Sequence, residues 1–314
     1  MIPAIVLTAG NATRLRPLSF VRAKGAVPVA GLPIAARILR WLAAAGCEDA
    51  VLNLHHLPHT LTRRIGDGSG VGLRVRYSWE VPLLGSAGGP KRALPLLGSP
   101  TALIINGDTL TNVDLRALIA EHQRTGALVT LAVVPNTAPA KYGGLAVDAD
   151  GRVTGTVRRG AGQPSSHFIG AQVVNASAFD SVPADTPYES IATLYPDLIA
   201  RQPGSVRAWQ CDAEFLDIGT PADYLDSSLV IGEREGVAID IGGNCDIAPS
   251  ARLHRSIIWD DVVVEDGVLL RETIVTDGVR VPADTSWHGV ILRKADEQLG
   301  PGEKRIGQMA VSAI

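Results

Sequence analysis

A short apolar run, Ala4-Ile5-Val6-Leu7, stops near Gly10, and the turn that follows, Asn11-Ala12-Thr13-Arg14-Leu15-Arg16-Pro17, carries two arginines. A strand that ends in a glycine-containing basic turn is a phosphate-binding arrangement. Small residues let backbone N–H groups approach an anion, and the arginines neutralise it. The same residues also describe an ordinary strand-to-loop transition with solvated arginines, and a short glycine motif alone does not decide between the two. Two further strand ends place a carboxylate beside a glycine: Ile105-Asn106-Gly107-Asp108 and Phe215-Leu216-Asp217-Ile218-Gly219. A rim carboxylate beside a glycine suits close approach by a ligand; the alternative is a turn-forming aspartate that caps local N–H groups. His55, His56 and His59 form another cluster. No partner with suitable spacing completes a metal site there, so solvent or packing roles are expected.

The elements that must hold these residues alternate. Ala4–Leu7, Ala50–Leu54, Leu73–Tyr77, Ala102–Ile105 and Val129–Val134 have strand patterns. Pro33–Ala45, Leu57–Ile65, Gly88–Leu96 and Leu115–Gln123 have helical ones, the third preceded by a Gly-rich loop. Repeated β-α-β of this kind predicts an α/β, Rossmann-like mixed, mostly parallel sheet with helices on both faces. Ligands in such sheets sit at the carboxyl ends of strands, where Gly10–Arg14 and Gly107-Asp108 fall. Leu145–Val147, Val153–Val157 and Phe168–Val174 read as an antiparallel insertion beside that sheet. Ser190–Arg201 is expected to be helical, and Thr220-Pro221 to be an N-cap and first helical residue.

From residue 237 the pattern changes. Ile239, Cys245, Ala251, Ile257, Val263, Leu269, Val275 and Val281 recur at every sixth position, and Ile241, Ile247, Leu253 and Trp259 form a second, shorter series. A six-residue repeat is the signature of a β-solenoid, here a short left-handed β-helix of hexapeptide repeats covering about two coils. Ordinary hairpins with chance spacing are the alternative. So short a solenoid is expected to pack on the catalytic domain or to pair with another copy in a homo-oligomer. The domain expectation is therefore an α/β domain, expected to be catalytic, over 1–232, the solenoid over 237–293 and a tail over 294–314 that carries no clear signal.

The chain has 314 residues and a formal charge of −3, so no basic excess points to nucleic acid. Apolar residues make up 46% of it, but in short runs broken by Gly, Pro and charge. None approaches the roughly 20 residues of a membrane span, and no signal peptide is visible. Three widely spaced cysteines argue against a disulfide framework and for a reducing, cytoplasmic setting.

Taken together, four segments in order resemble the sugar-1-phosphate nucleotidyltransferase family. They are Leu7–Pro17 with Lys24 and Val27–Pro33, the stretch Leu84-Gly85-Ser86-Ala87-Gly88-Gly89-Pro90-Lys91, Ile105–Asp108, and Phe215-Leu216-Asp217-Ile218-Gly219-Thr220-Pro221. The hexad tail resembles that of the family's mannose-1-phosphate guanylyltransferase branch. The resemblance implies an enzyme in which a sugar 1-phosphate attacks the α-phosphorus of an NTP, releasing pyrophosphate and giving an NDP-sugar. Holding two anions in line and stabilising charge on the phosphoryl oxygens are what this chemistry demands. By resemblance Leu7, Ala9, Gly10, Asn11, Ala12 and Thr13 cradle the triphosphate. Arg14 stabilises the leaving pyrophosphate, and Lys24 neutralises the α-phosphate or the sugar phosphate. Gly85, Ser86, Ala87 and Gly88 form the nucleobase loop, with Ser86 or backbone amides as readers, and Asn106 and Gly107 complete the nucleotide side. Asp108, also counted as catalytic, and Asp217 hold Mg²⁺. Tyr142, Gly143, Arg158, Arg159 and Gly170 lie on the sugar-phosphate side. GTP is the favoured NTP, because a Ser-Ala-Gly-Gly core is more guanylyl-like than thymidylyl-like, and the sugar is expected to be of mannose or heptose type.

Four positions depart from the family pattern. Ala12 replaces a glycine, and alanine tolerates positive φ poorly. Ala23-Lys24-Gly25 replaces Pro-Lys-Pro, Val157-Arg158-Arg159-Gly160 stands where Glu-Lys-Pro is common, and Phe168-Ile169-Gly170-Ala171 replaces Asn-Ala-Gly. Arg158 cannot accept hydrogen bonds from sugar hydroxyls as a glutamate does. Either the sugar differs, with an anionic group for Arg158, or turnover is weakened. A non-catalytic nucleotide-sugar sensor or regulatory subunit is the alternative function. A solenoid acyltransferase is a third, disfavoured by the short repeat.

Overall fold

The computed structural model describes residues 2–296 and 298–314. The chain divides into two compact units: the segment ending at Gly10 with Ala35–Leu216, and Asn11–Ile34 with Asp217–Ile314. This division places residues 11–34 and 217–236 with the repeat region rather than with the α/β part.

The first unit is built on a nine-stranded sheet. Its strands are β1 (Ala4–Leu7), β2 (Asp49–Leu54), β3 (Arg74–Trp79), β4 (Thr101–Asn106), β5 (Val129–Pro135), β6 (Gly144–Val147), β7 (Val153–Val157), β8 (Ser166–Asn175) and β9 (Val206–Gln210). The main path runs β7-β6-β8-β4-β1-β2-β3, and β5 pairs with both β8 and β9. β1 pairs in parallel with β2 and β4 and is fully buried at Ala4, Ile5 and Val6, as a short continuous apolar run flanked by neighbours on both sides requires. The antiparallel segment lies within this sheet rather than beside it: β8 pairs antiparallel with β4, β5 and β6. A ten-residue strand with buried Ile169, Ala171, Val173 and Val174 has both faces to cover, which only an interior position supplies.

Helices α1 (Ile34–Ala45), α2 (Pro58–Ile65), α3 (Gly85–Leu97), α4 (Leu115–Thr125) and α5 (Tyr195–Arg201) belong to this part of the chain. α3 lies against β1 and β2, and α4 against β5 and β8. The Gly-rich stretch from Gly85 is thus the first turn of α3 and not a loop before it. α5 is preceded by a π-helical turn over Ser190–Leu194.

The second unit contains three 3₁₀ turns in the 11–34 segment, Thr13–Leu15, Leu18–Phe20 and Lys24–Ala26, then α6 (Pro221–Glu235) and a β-helix. Thr220 caps α6 with a full capping box to Asp223, and Pro221 opens the helix as its sequence implied. The β-helix has three parallel sheets. Asp240 pairs with Ile257, Ile257 with Ile274 and Ile274 with Ile291, so each coil holds 17 residues and there are three of them, not two. Three hexads would make 18, and the one-residue deficit breaks the expected series. Inward residues follow spacings of six, six and five, as in Leu253, Ile258, Val264, Leu270 and Val275. Leu269, a member of the longer series, is consequently 36% exposed, and Trp259 leaves the inner row to pack edge-on against Tyr224. The tail is structured. Lys304–Ile306 and Met309–Ala313 form a hairpin that extends the sheet at Val290–Lys294 and buries Met309, Ala310 and Val311 over the core.

Candidate functional site

In the first unit the rim is built where β1 and β4 end. The Gly107 N–H donates to the Leu7 carbonyl at 3.0 Å, and a Cβ on Gly107 would strike that same oxygen. Glycine is therefore required for the two strand ends to close together and to bring Asp108 beside the phosphate-side backbone. Asp108 also accepts a hydrogen bond from Thr109 Oγ1 at 3.3 Å. Asn53 Oδ1 accepts from the Thr8 N–H at 2.6 Å and the Ala9 N–H at 3.3 Å.

The expected nucleobase residues occupy the start of α3. Ser86 Oγ donates to Glu189 Oε2 at 2.6 Å and accepts from the Ser190 N–H at 2.8 Å. The N–H groups of Ala87 and Gly88 donate to the Tyr188 carbonyl at 2.9 and 3.2 Å. Reading a base through Ser86 or these amides therefore requires an exchange of existing hydrogen bonds. Gly85 has φ +75°, and a Cβ there would lie 2.6 Å from Glu189 Oε1. Glu189 is thus the exposed polar group nearest this turn, and no spacing in the sequence announced it.

Tyr142, expected on the sugar-phosphate side, forms an aromatic cluster with His167 and Phe215, their ring centroids 4.3, 5.0 and 5.8 Å apart. With Val134, Asn136 and Cys211 they line a cavity of about 320 Å³. His167 and Phe215 were not singled out in the sequence, because aromatic residues at strand ends carry no spacing rule. Gly143 packs against the Val157 carbonyl, which leads directly into Arg158 and Arg159; both arginines are exposed. Gly170, at φ +81°, lies against the Asn106 side chain, where a Cβ would come within 2.9 Å. Asn106, expected on the nucleotide side, and Gly170, expected on the sugar-phosphate side, are therefore neighbours.

In the second unit Ala12 adopts the left-handed conformation, φ 46° and ψ 44°. The chain keeps a glycine-like backbone with an alanine in it, so the loop is not reshaped. The Ala12 carbonyl accepts from the Leu15 N–H at 3.0 Å and from Ser19 Oγ at 2.9 Å, which holds the strained turn closed. The Arg14 guanidinium and the carboxylates of Asp217 and Asp223 converge on Gly219: all three lie 3.2–3.4 Å from where a Cβ would sit. Asp223 accepts from the Thr220 N–H and hydroxyl in the α6 cap, and Asp217 is the second carboxylate at this glycine. Arg14 and Asp217 come together although about two hundred residues separate them.

Lys24 is half-buried and opens the third 3₁₀ turn. Two residues before it, Arg22 is 2% exposed and donates to Asp277 Oδ2 at 2.8 Å and Asp260 Oδ2 at 2.7 Å, with a further bond to Asp277 Oδ1. Its guanidinium also lies 4.7 Å from the centre of the Trp259 ring. Trp259 donates to Tyr224 Oη, and Tyr224 donates to the Pro28 carbonyl at 2.6 Å. The 11–34 segment is thereby fixed to the β-helix and α6 of its own unit. Arg22 has no motif spacing, and only its long-range partners reveal its role. Among the described residues no group of three His, Cys, Asp or Glu side chains could hold a metal, and His55 is engaged with the Glu80 carbonyl at 2.8 Å.

A family model described as nucleotidyl transferase matches residues 3–234. A mannose-1-phosphate guanylyltransferase of Mycobacterium tuberculosis is 29% identical over 297 residues, covering 86% of this chain and 83% of that protein. An N-acetylmuramate alpha-1-phosphate uridylyltransferase of Neisseria meningitidis is 30% identical over 233 residues, covering 73% of this chain and 98% of the relative. Among solved structures, HddC from Yersinia pseudotuberculosis superposes with a TM-score of 0.65 at 23% identity, over 74% of this chain and all of that one. A second structure of HddC, complexed with GMP-PN, matches with a TM-score of 0.64. No helix among the described residues is long and apolar enough to cross a membrane.

Proposed function

The chain belongs to the nucleotidyl transferase family, and from that premise we propose that it joins a sugar 1-phosphate to the nucleotidyl group of GTP. The sugar would be of mannose or heptose type. The observation that carries the reading is the convergence of Arg14 and Asp217 on Gly219, where the guanidinium would meet pyrophosphate and the carboxylate would meet a metal.

In this reaction an oxygen of the sugar phosphate forms a bond to the α-phosphorus, and the bond from that phosphorus to the bridging oxygen breaks. The attacking oxygen is already anionic, so no protein base or nucleophile is needed. Positioning and charge stabilisation do the work. Arg14 would hold the developing charge on pyrophosphate, and Lys24 would neutralise the α-phosphate or the incoming phosphate. Asp108 and Asp217 would each offer a carboxylate, the donor type that suits Mg²⁺, a cation that takes one or two carboxylates and completes its shell from phosphate oxygens and water. The ion would supply charge neutralisation at those oxygens. The aromatic cluster of Tyr142, His167 and Phe215 would face the sugar ring, and the exposed Arg158 would favour a sugar carrying an anionic group. Relatives of both guanylyl and uridylyl type match most of this chain, and the Ser86-Ala87-Gly88-Gly89 core is what supports GTP.

The test is a pyrophosphate-release screen of four NTPs against a panel of sugar 1-phosphates. GTP with a mannose- or heptose-type substrate is expected to give the highest kcat/KM. A uridine or thymidine preference rejects the guanine reading. Tight NDP-sugar binding without turnover on any sugar would instead establish a sensor, the role that the strained Ala12 and the substituted Arg158 favour.

A further inference from the structure

We propose that Asn53 and Glu80 form a buried strut that fixes the phosphate-side backbone at Thr8-Ala9 relative to the first turn of α3, and so positions the nucleoside triphosphate. The proposal rests on the nucleotidyltransferase reading above. Asn53 is 3% exposed and Glu80 1%. Asn53 Oδ1 accepts from the Thr8 and Ala9 N–H groups, its Nδ2 donates to Glu80 Oε1 at 2.7 Å, and Glu80 Oε2 accepts from the Leu84 N–H at 2.8 Å. The Thr8 hydroxyl closes the near end by donating to the Asn53 carbonyl. One end of this chain of bonds therefore grips the residues just before Gly10, and the other grips the residue just before Gly85.

The chemistry of the two side chains is specific. The middle of the strut needs a group that accepts at both oxygens, and only a carboxylate does so. A buried carboxylate is costly without a cationic partner, and among the described residues Glu80 has none in an ion pair. The Asn53 side-chain amide and the Leu84 backbone N–H stand in for the cation. Gly89 shows how closely α3 rests on the strut: a Cβ there would lie 2.5 Å from Glu80 Oε1 and 2.8 Å from Asn53 Nδ2. Neither residue is placed to touch substrate, so both are positioning residues. An error in strut length moves the triphosphate grip and the α3 turn relative to each other.

The hydrogen bonds can be broken singly and restored together. In Glu80→Gln one oxygen becomes an NH₂ that must face either Asn53 Nδ2 or the Leu84 N–H. In Asn53→Asp two carboxylates meet across the former 2.7 Å bond, and one is driven to take a proton. In the double variant the new carboxylate at position 53 accepts from the Thr8 and Ala9 N–H groups and from the new amide at position 80. The oxygen of that amide accepts from the Leu84 N–H, so every bond returns. We measure KM for the NTP the wild type prefers and KM for the sugar 1-phosphate, together with ligand-free thermal melts, in all four proteins.

Each single variant is expected to raise the NTP KM by about tenfold or more, with the sugar-phosphate KM within threefold. The double variant is expected to return to within threefold of wild type. The Asn53→Asp deficit should shrink as the pH falls from 8 to 6, because a shared proton rebuilds the bond. Folded single variants with wild-type NTP KM overturn the proposal, as does a folded double variant that fails to recover. A wild type that turns over and binds no NTP overturns the functional reading and this proposal with it. In that case recovery of the melting temperature in the double variant still shows the strut as a structural coupling, which separates the two failures.

Discussion

Replacing Arg22 with methionine tests whether the 11–34 segment depends on its ion cluster. Methionine keeps the length and apolar stem of arginine but removes the guanidinium. Three hydrogen bonds to Asp260 and Asp277 are lost, along with the contact to the Trp259 ring. Removing one partner of a buried pair costs about 3–5 kcal/mol, and the ring contact adds about 0.5–2 kcal/mol. Asp260 keeps the Gly243 N–H and Asp277 keeps the Asp260 N–H, and the two aspartates are 34% and 28% exposed, so part of their solvation is recovered once the guanidinium is gone. We therefore expect a loss of about 3 kcal/mol, near the low end. For a chain of this size each kcal/mol moves Tm by about 2–4 °C, giving a fall of about 6–12 °C. The assay is thermal and urea unfolding of Arg22→Met, of Asp260→Asn with Asp277→Asn, and of the triple variant. The triple variant should recover at least half of the loss, because removing a whole buried ion cluster is near neutral whereas stranding two carboxylates is not. An Arg22→Met protein within about 1 kcal/mol of wild type would refute the reasoning. So would a triple variant less stable than Arg22→Met, since carboxylates stranded by the loss of the guanidinium would then not be the source of the cost.

Asp108→Asn and Asp217→Asn should each lower pyrophosphate release by about 10²–10³-fold, the scale of losing one electrostatic group at a phosphoryl centre; unchanged rates in both would remove them from the metal site. Ala12→Gly should stabilise the protein by about 0.5–1 kcal/mol in urea melts, since relief of about 1–2 kcal/mol of left-handed strain exceeds the extra unfolded-chain entropy of about 0.4–1 kcal/mol. His122 is held neutral, because burial lowers its pKa, and its ring nitrogens meet Thr130 Oγ1 and Asn175 Oδ1 at 2.9 and 3.2 Å. The unfolded chain therefore binds the proton more readily. Stability should be full above about pH 6.5 and decline as the pH falls below it, and His122→Gln should flatten that part of the profile measured by urea melts. Burial pushes the Cys47 thiol up to about 11, so alkylation at pH 8 should spare Cys47 in the native protein and label it after unfolding.

What the sequence disclosed was governed by how local each signal is. The strand at Ala4–Leu7 and the capped helix at Pro221 are set by neighbouring residues, and both were legible. The hexad series located the β-helix but misplaced its inner face, because a 17-residue coil slips by one residue against a six-residue count, and only pairing across coils reveals the slip. The glycines from Gly85 suggested a loop, yet tertiary contacts with the Tyr188 carbonyl and Glu189 complete the first turn of a helix. Asn53 and Glu80 were missed because each is a single polar residue at or just past a strand end, with no spacing that ties one to the other. Arg22 was missed because its partners lie far along the chain.

The bond between Arg22 and Asp277 spans 255 residues. During synthesis at about 5–20 residues per second, the guanidinium leaves the ribosome about 13–50 s before the carboxylate that will receive it. Most sheet strands flanking the 11–34 segment in sequence can pair during that interval, while the segment waits for the last coils. The stretch bearing Arg14 and Lys24 is therefore among the first parts made and among the last to fold. A chain cut short before Asp277 would lack the carboxylate that takes two of the Arg22 hydrogen bonds, and the cationic 11–34 segment would be without that anchor.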